Sequence, residues 1–197
     1  MKITLVIAIA AIAATALASD LIVADHRVWY EPWRSVTGPL VHATWPHLLR
    51  DVGLVLILGF AYERKLAHAW PWIVGLGLAL PPIAVVASGD AGYYGLSGLA
   101  YAMLAAALAY ETSRHPALIP IAIVFAFKVV YEAAAGPDAT ATSILPRGAW
   151  LALGPHVHQA PIAHLAGALG GLLGISHTAF RRPRRSRSSP APRPTPA

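Results

Sequence analysis

The stretch YGLSGLAYAMLAAALAY, residues 94–110, carries no charged residue along its length. A run of this kind is either a buried core helix or a helix that spans a bilayer. The rest of the chain decides between the two. Of its 197 residues, 56% are hydrophobic and 12% are charged. A water-soluble domain carries about 25% charged residues, so this chain lacks the polar surface that water requires. Five further apolar runs flank the first, at Ile3–Ala18, Leu40–Tyr62, Ala67–Ala87, Pro116–Ala135 and Pro161–Phe180. A spanning helix needs roughly 20 mainly apolar residues. The expected fold is therefore all-α, a polytopic six-helix transmembrane bundle over residues 1–180 with no room for a second globular domain.

The sequence has no cysteine, which excludes disulfides and thiol chemistry. Its net charge of +6 would suit a nucleic-acid binder if it were spread over a domain. It is concentrated instead in Arg181, Arg182, Arg184, Arg185, Arg187 and Arg193, directly after the last apolar run. A basic cluster there is a cytoplasmic anchor, and no nucleic-acid partner is expected. Residues 181–197 are rich in Arg, Ser and Pro, cannot bury a core, and are expected to form a disordered cytoplasmic tail.

Placing the N-terminus inside puts Lys2, Arg64, Lys65, Arg114 and the tail arginines on one side of the membrane. The outside segments then hold only Arg27, Arg34 and Arg147. This is the positive-inside pattern, with both termini cytoplasmic, as in a bacterial inner membrane. Lys2, the apolar run and Ala16-Leu17-Ala18 also fit a cleavable signal peptide. The charge pattern favours retention of residues 1–18. Trp29, Tyr30 and Trp33 in the first outside segment suit the bilayer interface, as does Trp150 in the segment containing Pro137, Pro146, His156 and His158.

Polar groups within spans are costly and usually have a job. Gly95-Leu96-Ser97-Gly98 opens the fourth run. Small residues here serve helix packing. Ser97 at a helix N-terminus would also have free backbone N–H groups beside it to stabilise an oxyanion. In the sixth run, Gly167 and Gly171 share one face, and His164 lies one turn before Gly167. Such a face admits a neighbouring helix closely and would hold a general base against a serine. His42, His47 and Asp51 open the second run. Histidine clusters bind metals, but a spacing of five is poor for two ligands on one helix face. Lys128 and Glu132 are an i,i+4 pair whose simplest reading is mutual neutralisation.

Together these motifs resemble the rhomboid family of intramembrane serine proteases, over about Trp33 to Gly174. Trp33-Arg34, the His42, His47 and position-51 spacing, Gly95-Leu96-Ser97-Gly98 followed by Tyr101, and Ala163-His164 with Gly167 and Gly171 carry the resemblance. It implies Ser97 as nucleophile and His164 as base, with no third acidic member and no metal or other cofactor. Tyr101 would stack on His164. His47 would lend a donor to the oxyanion hole beside the Ser97 N–H, with Leu96 and Asp51 as further support. Gly95 and Gly98, with Gly167 and Gly171, would serve close helix packing at the site. Asp51 departs from the family, which usually has Asn there. An ionised carboxylate would repel an oxyanion unless protonated, paired with Arg50 or His47, or turned away.

Val36-Thr37-Gly38-Pro39-Leu40-Val41-His42, Trp45, His47-Leu48-Leu49, and Lys128 with Glu132 resemble the rhombosortase branch. That narrower resemblance implies membrane-anchored protein substrates with a C-terminal Gly-Gly motif, an apolar helix and a basic end. Two other readings are a catalytically inactive rhomboid-like binder of membrane helices and a His-rich membrane haem or metal protein.

Overall fold

A computed structural model describes residues 2–17, 26–89, 92–136 and 160–179. Ala18, Ser19, most of the loop bearing Pro137, Pro146, Trp150, His156 and His158, and the tail from Arg181 lie outside the described residues. Among those described, all regular elements are helical: α1 (Lys2–Leu17), α2 (Arg34–Thr37), α3 (Trp45–Tyr62), α4 (Trp70–Ala87), α5 (Ser97–Thr112), α6 (Ile119–Ala135) and α7 (Pro161–Ala179), with short 3-10 turns between some of them. The six long helices fall within or close to the six apolar runs. The single turn of α2 is the addition.

Two boundaries differ from the apolar runs for local reasons. The second run begins at Leu40, but α3 begins at Trp45. Gly38–Leu40 form a 3-10 turn around Pro39, Thr44 is extended, and the Thr44 side chain accepts the His47 N–H at 3.3 Å. That side-chain cap, followed by Pro46 in the first turn, fixes the helix start. The fourth run begins at Tyr94, but α5 begins at Ser97, because Gly95 adopts φ +97°. This left-handed conformation suits glycine and ends the helical path.

Helix α5 occupies the centre and touches α3, α4, α6 and α7. Helix α7 lies between α4 and α5, using two edges lined with glycine. A Cβ at Gly167 would overlap the Gly98 carbonyl, and one at Gly171 would overlap that of Ala102. Gly170 and Gly174 turn toward α4, where added Cβ atoms would lie 3.2 Å from the Leu76 backbone and 2.7 Å from the Ile73 nitrogen. Backbones at this distance gain contact along their length, which suits association in a lipid environment.

Helix α1 packs on α3. The Glu63 carboxylate accepts the Ile3 and Thr4 N–H groups, each at 3.1 Å, and the Thr4 hydroxyl at 2.6 Å. An acid from one helix thereby satisfies orphan donors at the positive end of another. Trp70, fully buried, donates its indole N–H to Thr4 Oγ1 at 3.3 Å.

The outer surface is strongly apolar. Ile57 and Phe60 on α3, Val6 and Ile9 on α1, and Ile123, Val124 and Phe127 on α6 are largely exposed. Only Val129 and Glu132 of α6 are buried. So broad an apolar surface suits hydrocarbon rather than water. Two segments, Trp70–Ala87 and Pro116–Ala135, are long and apolar enough to cross a membrane, and α1 is a shorter apolar helix.

The α5–α7 contact leads to a stability prediction. Gly171→Ala should destabilise the fold by about 1–3 kcal/mol through overpacking. Gly53, with open space around it, should tolerate alanine and gain up to about 1 kcal/mol from helix propensity. Thermal unfolding in detergent micelles measures both. Equal melting of Gly171→Ala and wild type would refute the close approach.

Candidate active site

The Thr44 cap places His47 in the first turn of α3, and Asp51 follows one turn later on the same face. His42 precedes the helix, and its ring meets that of His47 edge-on at 4.9 Å. His42 Nε2 accepts the Leu96 N–H at 3.3 Å, while Nδ1 lies 3.3 Å from the Leu40 carbonyl. This pattern puts the ring proton on Nδ1. Asp51 Oδ2 is 3.2 Å from His47 Nε2 and 3.6 Å from His42 Nε2. Its other oxygen accepts from Arg50 Nη2 at 3.0 Å. Of the arrangements open to an acid at position 51, pairing with both Arg50 and His47 is the one observed.

The segment before α5 rests on this cluster. A Cβ at Gly95 would stand 2.7 Å from His47 Nε2 and 3.2 Å from Asp51 Oδ2. Gly95 thus meets two demands, a positive φ and close approach to an imidazole. The first N–H groups of the helix are handled one by one. Leu96 donates to His42, and Gly98 donates to the Tyr93 hydroxyl at 3.0 Å. Among the described residues the Ser97 N–H has no acceptor, as befits the first residue of a helix. Leu96 therefore supports the site by holding the turn, since its own N–H is already engaged. The Tyr93 hydroxyl is also within hydrogen-bonding range of the Ser97 side chain.

On the other side, the Gly167–Gly98 contact sets α7 against the start of α5, with His164 one turn earlier. The rings of Tyr101 and His164 stack with centroids 4.1 Å apart and planes within 1°. His164 is buried, and its Nδ1 lies 3.7 Å from Glu132 Oε2. Lys128 Nζ donates to Glu132 Oε2 at 2.6 Å and to the Tyr101 hydroxyl at 2.5 Å. No hydrogen bond joins Ser97 and His164 within the described residues.

Residues 30–179 match the family model of the Rhomboid domain. The chain belongs to the rhomboid family. Rhomboids are integral membrane proteins, and the family's serine proteases act on membrane-embedded substrates. No curated protein matches the chain.

Three features of this rhomboid were hidden in its sequence. His42 is not on α3, so the spacing of five does not separate it from His47. The ligand atoms of His42, His47 and Asp51 in fact lie within 4.8 Å of one another. The set nevertheless suits a divalent metal poorly, because His42 Nε2 already accepts a backbone proton and the Arg50 cation sits on Asp51. Tyr93 carries no sequence signal beyond its place one turn before Ser97. Glu132 also reaches past its Lys128 partner toward His164.

The position-51 geometry carries a prediction. Asp51 Oδ2 faces His42 Nε2, an acceptor, and has no hydrogen-bond partner among the described residues. An amide offers an N–H where a carboxylate offers none. Asp51→Asn should keep or raise proteolytic activity, and Asp51→Ala should lower it modestly. A large loss of cleavage rate in Asp51→Asn would show that the carboxylate itself is required.

Proposed function

We propose that this rhomboid is an intramembrane serine endopeptidase working with a Ser97–His164 dyad. The observation that carries the reading is the α5–α7 contact. Gly167 lies on the Gly98 carbonyl and Tyr101 stacks on His164, which supports an imidazole facing the start of α5. Ser97 Oγ attacks the scissile carbonyl, and His164 Nε2 takes its proton and later gives it to the leaving amine. Water then resolves the acyl-enzyme. The Ser97 N–H and the His47 ring are the oxyanion donors, with Gly95 leaving room for both. These residues require no metal or other cofactor.

The membrane setting follows the same logic. Helix α5 has 16 residues, or about 24 Å of length, against about 30 Å of hydrocarbon. Its N-terminus then lies below the outer surface. Irregular backbone at that depth must be satisfied by protein, as the His42 and Tyr93 contacts do for the Leu96 and Gly98 N–H groups. The substrate is a membrane-anchored protein whose helix opens locally, since a helical peptide bond is shielded by its own hydrogen bonds. Residues 1–180 form the six-span protease domain, with α1 retained through its Glu63 and Trp70 contacts. Both termini face the cytoplasm of a bacterial inner membrane, and residues 181–197 form the basic tail. Within the family, the reading extends to the rhombosortase branch and to exported proteins with C-terminal Gly-Gly sorting tails. Glycine lowers helix stability by about 1 kcal/mol per residue, so such a flank opens readily beside Ser97.

Ser97→Ala or His164→Ala should leave a folded membrane protein and reduce turnover by several orders of magnitude. Labelling of the purified full-length protein with a fluorophosphonate probe checks the nucleophile. Equal labelling of Ser97→Ala and wild type would refute the mechanism. The substrate class is checked by expressing a protein with a Gly-Gly, apolar and basic tail with and without this rhomboid, then reading its C-terminus by mass spectrometry. The tail should be lost only when the protease is present. An intact tail in both strains would remove the sorting role.

A further inference from the structure

Most of helix α6 is exposed, yet it turns a carboxylate inward. Its buried residues are Val129 and Glu132, and only 4% of the Glu132 side chain is exposed. Burying an acid within a membrane protein is costly. Pairing with Lys128 at 2.6 Å offsets part of that cost, but pairing alone gives no reason for the acid to face the bundle. The Lys128 side chain, 37% exposed, stays nearer the surface. The inward direction brings Glu132 Oε2 to 3.7 Å from His164 Nδ1, a buried nitrogen with no hydrogen-bond partner among the described residues.

A histidine acting as general base needs its Nε2 lone pair free for the serine, so its proton must sit on Nδ1. An acceptor at Nδ1 fixes that tautomer, aims the ring and stabilises the imidazolium that forms when the serine proton arrives. His164 is held in two ways from one origin. Lys128 grips Tyr101, whose ring covers the imidazole face, and it grips Glu132, whose carboxylate addresses the imidazole edge. These contacts close a ring of four side chains on three helices.

We propose that Glu132 is the positioning acid of His164, with Lys128 as its counter-ion. The catalytic unit remains the Ser97–His164 dyad, and Glu132 acts on it through His164 Nδ1, a sub-ångström movement short of hydrogen-bonding distance. The inference rests on the Ser97–His164 dyad proposed above. The charged and titratable groups around His164, among the described residues, are Tyr101 on α5, Lys128 and Glu132 on α6, and Tyr93 and Ser97 at the start of α5. Asp51, His47 and Arg50 lie on α3.

The experiment measures the rate of fluorophosphonate labelling of the full-length protein in proteoliposomes, as a function of pH and probe concentration. Removing the carboxylate takes away an opposite charge that favours the protonated imidazole. Glu132→Gln should lower the limiting labelling rate roughly ten- to hundredfold, leave the probe's half-saturating concentration unchanged, and move the acid limb to lower pH. Glu132→Asp should restore part of the rate. Should Glu132→Gln fail to fold, Lys128→Met leaves the carboxylate in place without its competing cation, and the acid limb should move to higher pH. An unmoved acid limb in the folded Glu132→Gln variant, or in Lys128→Met where Glu132→Gln does not fold, overturns the positioning role of Glu132. Ser97→Ala runs alongside. If it still labels, the dyad itself is wrong. If it is silent while Glu132→Gln matches wild type, only the role of Glu132 fails.

Discussion

The absence of side chains at Gly167 and Gly171 governs how this molecule is put together. Two helices whose backbones touch at Gly98 and Ala102 cannot be brought together with even a methyl group between them. The contact fixes the height and rotation of α7 against α5, and the position of every other α7 side chain follows. His164 reaches the start of α5 because it lies one turn from the contact, and it meets Tyr101 because that residue lies one turn after Ser97. Gly170 and Gly174 press a second edge of the helix onto α4. A precise relation between two side chains on different helices thus rests on glycines that take no part in chemistry.

A low-dielectric interior makes each unpaired polar group expensive, and here the pairing doubles as architecture. Glu63 closes the N-terminus of α1 and holds that helix on α3. His42 takes a backbone proton from Leu96 and so fastens the turn before α5. Tyr93 does the same for Gly98. None of these residues needs to touch a substrate to matter, because each consumes a donor that would otherwise destabilise an irregular backbone within the bundle. The Ser97 N–H is left without an acceptor at this helix start among the described residues, and on the proposed mechanism it is a donor for the developing oxyanion.

The long helices were legible from apolar runs because six mainly apolar stretches of near-spanning length leave little choice of secondary structure. Gly167 and Gly171 were legible as a packing edge because helical spacing puts them on one face of α7, with His164 one turn before. What the sequence concealed is contact between elements far apart in the chain. His42 and His47 look badly spaced only if both are placed on one helix, and the Thr44 cap removes His42 from it. Gly170 and Gly174 read as ordinary small residues until α4 is seen against them. Lys128 and Glu132 satisfy each other at i,i+4, which hides the rotation of α6 that aims the acid at α7. Periodicity describes a helix from within and is silent about its neighbour.

The two carboxylates near the site are each paired with a cation, and their electrostatic consequences are opposite on the proposed mechanism. Asp51 stands on the α3 side with His47, where negative charge develops on the substrate oxygen. Left bare, it would oppose the transition state, and the Arg50 contact at 3.0 Å moderates that opposition. Glu132 stands on the α6 side, where positive charge develops on His164. There a carboxylate favours the transition state, and Lys128 at 2.6 Å reduces the benefit while keeping the acid tolerable in its buried place. The two pairs therefore cannot be exchanged, although both are local ion pairs of similar length. Charge separates across the site as the reaction proceeds, from the imidazole to the oxyanion. On the proposed mechanism, an arrangement with its acid beside the base and its donors beside the carbonyl matches that separation before substrate arrives.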